Sequence, residues 1–433
     1  MPPQPRHTPP NAPPPGIGAS AIFAAVLGNA LDFYDFIIYS AFAIQIGATF
    51  FPQRSAYASL MLSLAVFGAG FLSRPLGALV IGRYADTSGR RPAMLLSFAL
   101  MGLSVLGLAL LPGYATLGLT APALALVARL VQGFAVGGEI GANTAFLAES
   151  APSRHRTLVV SMQSVSQVIA MAAGGAIGAW LTHRFSAPQL QLYGWRIAVG
   201  LGATLLPVGL WLRRRLPETL THTLETPLSS ASLAAPPSTT PPGALRVGLL
   251  GAICISAFTI RTYVVLYLAT YAQQTLHMAP KLFFLATVYG QLGSALVIPV
   301  AALLSDHIGR RPIFLVGHVI SLAVIYPVFA WVIRTHAPAA ILVGLPLVSL
   351  TGSIGPSALL TSITEALPGR LRGTGFGLAY TLAVTLFGGT AQLILTWLLH
   401  ITGAPIAIAW YLLGAGLIAL VAMLAIPETR PAA

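Results

Sequence analysis

Residues 82–92 read GRYADTSGRRP, and residues 302–312 read ALLSDHIGRRP. Both contain D-x-x-G-R-R, and each follows directly on a long apolar run. Two further pairs keep the same order along the chain: ESAPSRHR (149–156) with EALPGRLR (365–372), and LPET (216–219) with IPET (426–429). The members of each pair lie about 210 to 220 residues apart, the pattern left by duplication of one unit.

The composition says what that unit is made of. The chain is 56% apolar and 8% charged, against roughly 25% charged residues in a soluble domain. Apolar runs near 18–47, 57–82, 93–112, 121–148, 157–182 and 195–212 are followed by runs near 246–275, 282–304, 313–334, 338–364, 373–399 and 405–426. About 20 such residues cross a ~30 Å hydrocarbon core as a helix, and these twelve runs are numbered here as spans 1 to 12. Backbone groups in lipid must bond internally, so an all-α polytopic membrane protein of two pseudo-symmetric six-helix bundles is expected. The expected layout is a disordered, Pro-rich tail over 1–17, bundles over 18–213 and 245–426, a Pro/Ser/Thr-rich linker over 214–244 and a tail over 427–433. The first seventeen residues carry no apolar stretch of their own and do not read as a cleaved signal peptide.

Charge placement orients the chain. Of the 22 arginines and one lysine, fifteen fall on the side of the N-terminus, and Arg54, Arg184, Arg196, Lys281 and Arg334 fall on the other. Arg74, Arg129 and Arg261 lie within spans. The positive-inside rule then places both termini in the cytoplasm, as expected for a multi-pass protein of the inner membrane. The net charge of +13 is this bias, scattered over short loops, and it argues against nucleic-acid binding. The single cysteine, Cys254, excludes an internal disulfide framework. Phosphate-loop, H-E-x-x-H, C-x-x-C and G-x-S-x-G patterns are absent, so no catalytic residue, metal or cofactor is expected and the chain does not read as an enzyme.

Ionisable residues within spans carry the functional reading, because facing lipid would cost them several kcal/mol. GNALDFYDFIIY (28–39) puts Asn29, Asp32 and Asp35 on one face of span 1. A carboxyl buried there can be neutral in one state of a transport cycle and charged in another, as proton coupling requires; alternatively the two aspartates permanently neutralise Arg74 or Arg129. In span 4, Arg129, Gln132, Glu139 and Asn143 share a broad face. They either face a cavity, with Arg129 and Glu139 joining the coupling group, or tie helices together. Gln163 and Gln167, one turn apart in span 5, suit the same cavity or a bridge between helices. Arg261 has no acid on its own span, so it meets an anionic ligand or forms a fixed pair with Asp32, Asp35 or Glu139. Arg74 is open between a structural and a substrate-binding role. In the loops, Asp86, Arg90, Arg91 and Glu149, with their repeats Asp306, Arg310, Arg311 and Glu365, read as a conformational latch or, for the arginines, as topology signals alone.

D-x-x-G-R-R after spans 2 and 8, with R-x-x-Q-G at Arg129, Gln132 and Gly133, resembles the major facilitator superfamily. More narrowly, G-N-x-x-D-x-Y-D-F with Tyr39, G-F-L-x-R-P-x-G (70–77), Q-G-F-x-x-G-G-E (132–139), G-W-R-I (194–197) and A-Y-T-L-A-V-T-L-F-G-G (379–389) resemble its metabolite:proton symporter family. Asp32 stands where that family usually has Glu, and Ala302 replaces a glycine. The resemblance implies uptake of citrate, tricarballylate, 2-oxoglutarate, proline, betaine or shikimate with protons. It also adds Tyr39 and Tyr380 to the substrate-binding candidates Arg261, Asn29, Asn143, Gln163, Gln167 and Arg74. The expected partners are a small organic acid, protons and the bilayer, with the protein acting as a monomer. A di- or tricarboxylate is the favoured substrate. A zwitterion or hydroxy acid is the rival, followed by an exporter, a channel or a non-transporting sensor.

Overall fold

The computed structural model describes residues 19–88, 90–137, 147, 156–204, 207, 242–367, 372–426 and 428–429. Among them nine helices are long and apolar enough to cross a membrane: Ala56–Tyr84, Thr120–Gly137, Thr157–Arg184, Leu245–Gln274, Lys281–Ile308, Arg310–Thr335, Ala340–Ala366, Ala379–Thr402 and Ala407–Leu424. A bent pair, Asn29–Ala41 with Ala43–Phe50, supplies span 1. The shorter apolar helix Leu95–Leu110 is span 3, and Trp195–Ala203 begins span 6. The sequence-derived spans therefore match helices in order, and the protein has the two-bundle, twelve-helix fold. Arg196 of the G-W-R-I stretch anchors span 6 to span 3, donating from Nη1 to the carbonyls of Ala109 (2.8 Å) and Leu111 (2.7 Å). These are end-of-helix carbonyls that lack partners within their own helix.

Two spans are less regular than their apolar runs. Span 1 bends by 69°. The break is at Phe42, whose φ of −105° and ψ of 18° leave the helical region. No proline or glycine causes it. Instead, the preceding turn is tied across the molecule: Ser40 accepts from Thr270 Oγ1 on its carbonyl (2.8 Å) and donates Oγ–H to the Leu266 carbonyl (3.0 Å). Gln392 Nε2 also donates to Ser40 Oγ (2.7 Å). Span 10 is likewise split into Leu345–Gly352 and Pro356–Ala366.

The halves meet along spans 5 and 8, 2 and 11, and 1 and 7. At the arginine-rich face, the Asp306 carboxylate accepts from the Thr157 and Leu158 amides, each at 3.3 Å. An anion at the first turn of span 5 is favoured by that helix's exposed N–H groups. At the opposite face, Lys281 Nζ lies 3.2 Å from His183 Nδ1, and the Tyr57 and His400 rings stack at 3.9 Å. The structure thus carries contacts between the halves at both faces.

Candidate functional site

The centre of the first half is assembled at a glycine-lined crossing. Spans 2 and 4 pack so closely that a methyl group on Gly133 would collide with the Gly70 carbonyl. Ser73 pins the crossing by donating to the Leu130 carbonyl (2.7 Å). Arg74 and Arg129, from different spans, consequently line one small void. Gly133→Ala should cost about 1–3 kcal/mol through overpacking. It should appear as a lower melting temperature of the purified protein, and an unchanged melt would contradict the crossing.

Arg129 is 3% exposed. Its Nη1 donates to Asp35 Oδ2 at 2.6 Å and also to Gln132 Oε1. The guanidinium lies 3.8 Å over the Tyr39 ring, whose hydroxyl donates to the Ser63 carbonyl at 3.1 Å. Tyr39 is therefore a platform for the arginine. Arg74, also buried, stacks 3.8 Å over Phe71 and 5.1 Å over Phe36. Phe71 in turn meets Tyr263 of span 7 at 5.4 Å, so the cluster crosses to the other half. The Tyr263 and Tyr380 hydroxyls lie within electrostatic reach of both Arg74 and Asp32, which is itself buried. Asp35 pairs with Arg129, one of the three arginines, with Arg74 and Arg261, that the sequence left open as its partner.

Asn29 lies on the same face of span 1, but its amide is engaged. Nδ2 donates to the Gln163 carbonyl (3.0 Å) and to Ser166 Oγ (3.1 Å), while Oδ1 accepts from Gln167 Nε2 (3.2 Å). In this conformation Asn29 and Gln167 bridge spans 1 and 5. Arg261, partly buried, rests 5.5 Å over Phe258 and against the backbone of Gly352, where any side chain would strike the guanidinium. It sits beside the break in span 10. None of the described residues gives it a hydrogen bond or an ion pair.

The second-half loop group lies within the described residues. Arg310, 1% exposed, pairs with Asp306 at 3.0 Å and reaches both Glu365 oxygens at 3.3 Å. It also donates to the Ser305 carbonyl at 3.0 Å. The Arg310 and Arg311 amides donate to Glu428 at 2.9 and 3.0 Å, and Arg311 Nη2 donates to the Leu424 carbonyl at 2.8 Å. Thr429 Oγ1 adds a bond to Glu365 at 2.9 Å. The sequence reading missed Glu428 and Thr429, although the LPET/IPET repeat was their signal. It had no signal for Ser40, Thr270 and Gln392. Glu139, Asn143 and Glu149, with the side chains of Asp86, Arg90 and Arg91, lie outside the described residues.

A sequence model of the Major Facilitator Superfamily matches residues 22–382 and 249–433. The citrate-proton symporter of Salmonella typhi is 34% identical over 420 residues, 94% of each chain. The alpha-ketoglutarate permease of Escherichia coli is 33% identical, covering 90% of this chain and 89% of its own. The ectoine/proline transporter of Corynebacterium glutamicum is 30% identical, with coverage of 97% and 86%. Among solved structures, a D-xylose-proton symporter shares the fold with a TM-score of 0.74 at 20% identity, over 95% of this chain and 98% of that one. The chain is a membrane transporter, not an enzyme, and it belongs to the Major Facilitator Superfamily.

Proposed function

We propose that the protein is a proton-coupled symporter of the inner membrane. It takes up a small organic anion, a di- or tricarboxylate such as citrate or 2-oxoglutarate, by alternating access between the halves 18–213 and 245–426. The observation that carries this reading is the buried Asp35–Arg129 pair, a titratable carboxylate and its counter-ion sealed in the first half. Such a pair can open when the acid takes a proton and re-form when it is released. Arg261 supplies the anion-binding element, because a guanidinium to which no described residue offers a carboxylate suits bidentate capture of one. Proton coupling also fits an anionic cargo: inward movement of each negative charge is opposed by about 2.3 kcal/mol per 100 mV, and a co-transported proton cancels that opposition. The citrate-proton symporter and alpha-ketoglutarate permease relatives support the carboxylate class. The ectoine/proline transporter relative keeps the zwitterion as the rival.

The test is binding of citrate, 2-oxoglutarate, proline and shikimate to the purified wild type and to Arg261→Ala. A carboxylate should bind, and the variant should lose at least about tenfold in affinity, or 1.4 kcal/mol. Tight proline binding that ignores Arg261 would overturn the substrate assignment.

A further inference from the structure

We propose that the void between spans 1, 2 and 4 is a second anion subsite, which receives a carboxylate of the cargo on Arg74, Arg129 and Gln132. The proposal rests on the organic-anion reading above and adds to it where the second carboxylate binds. Its basis is a set of orphaned donors. Arg74, Arg129 and Gln132 are 4%, 3% and 4% exposed and line the same void. Arg74 Nε, Arg129 Nε, Arg129 Nη2 and Gln132 Nε2 are all buried without an acceptor among the described residues. Buried polar groups are nearly always bonded, and an unmet charged donor is the costlier kind. Four at one place mark a position for an acceptor that the described residues do not provide.

The chemistry of that ligand follows from the donors. Two guanidinium groups repel any cation. The amide oxygen of Gln132 already accepts from Arg129 Nη1, so the void presents N–H groups for a ligand that accepts. Nε and Nη2 form the side-on fork of a guanidinium, the edge that takes a carboxylate bidentately. Asp35 holds only Nη1 of Arg129 and leaves that edge free. The planes are set in advance, by Tyr39 under Arg129 and Phe71 under Arg74, each at 3.8 Å. A flat, anionic, two-oxygen group is the ligand these features describe.

The charges around the void also account for coupling. Arg74 and Arg129 are set against Asp35 and Asp32, with the Tyr39, Tyr263 and Tyr380 hydroxyls as the remaining titratable neighbours among the described residues. Among the described residues the two cations match the two aspartates in number, so an arriving carboxylate adds one negative charge to that set. Protonation of one aspartate offsets that charge. A dicarboxylate held here at one end and by Arg261 at the other would engage both halves at once.

Equilibrium binding of radiolabelled citrate and 2-oxoglutarate to the purified full-length protein, with butyrate as a monocarboxylate competitor, tests the subsite. The informative variant is Gln132→Glu, which sets a carboxylate of nearly the same shape among the orphaned donors. It should raise the melting temperature and weaken citrate and 2-oxoglutarate at least tenfold. Arg74→Lys, which keeps the charge but loses the fork, should weaken both acids similarly and leave butyrate within twofold. If the acids bind and need Arg261 while both variants stay within twofold of wild type, the subsite is wrong and the organic-anion reading survives. If the acids need Arg74 and Gln132 but not Arg261, the subsite stands and Arg261 loses its role. If wild type binds neither acid, the organic-anion reading fails and the subsite fails with it.

Discussion

Asn in place of Asp35 is expected to yield a protein that still exchanges its cargo across the membrane but no longer accumulates it. Asn matches Asp in shape, and its side-chain oxygen can still accept from Arg129 Nη1, so the contact survives as a hydrogen bond from a guanidinium that has lost its counter-charge, and a lower melting temperature is expected beside the transport defect. What is lost is the ability to bind and release a proton. A pH difference equivalent to 100 mV, with no membrane potential, gives each proton about 2.3 kcal/mol, which at 1.4 kcal/mol per tenfold corresponds to an accumulation of roughly 50-fold for each proton coupled. In proteoliposomes with an imposed proton gradient, that ratio should fall to unity in Asp35→Asn, while exchange of labelled for unlabelled cargo persists. Asp32→Asn provides the comparison within span 1. Uphill accumulation that survives both substitutions would place coupling elsewhere and reduce the Asp35–Arg129 pair to a fixed brace.

The fold was legible because lipid leaves a chain few choices. Twelve apolar runs had to be helices, and three repeated motifs had to reflect duplication. The exceptions to straight helices were not legible. Span 1 bends at Phe42 because Thr270, Leu266 and Gln392 hold Ser40, partners more than 200 residues away that no local pattern announces. The site divides in the same way. Face periodicity set Asp35 and Arg129 as candidates for coupling or for a fixed tie between helices, but only the glycine crossing of spans 2 and 4 shows that Arg74 shares a void with Arg129. Asn29 illustrates the converse: its position on the polar face was correct, yet its amide is engaged by span 5, which a helical projection cannot reveal.

Arg310 is where stability and switching meet, and Arg310→Ala should be the most damaging of the loop substitutions. A surface ion pair contributes little, but removing one partner of a buried pair strands the other charge and costs about 3–5 kcal/mol. Arg310 is 1% exposed and neutralises two carboxylates, Asp306 and Glu365, so its loss strands both. Lysine is no substitute, since a point charge cannot reach Asp306, both Glu365 oxygens and the Ser305 carbonyl from one planar fork. Both variants should therefore melt several degrees below wild type in detergent, with Ala the lower. The effect should extend beyond stability. Arg310 aims Asp306, and Asp306 bonds the first-turn amides of span 5 in the other half. Without that aim, the arginine-rich face should spend more of its time open, and a cysteine at Thr157, which is fully buried, should become more accessible to a water-soluble thiol reagent in Arg310→Lys than in an otherwise wild-type background. A melt and a labelling rate both unchanged in Arg310→Lys would show that the cage is neither a brace nor a latch, leaving its arginines as topology signals alone.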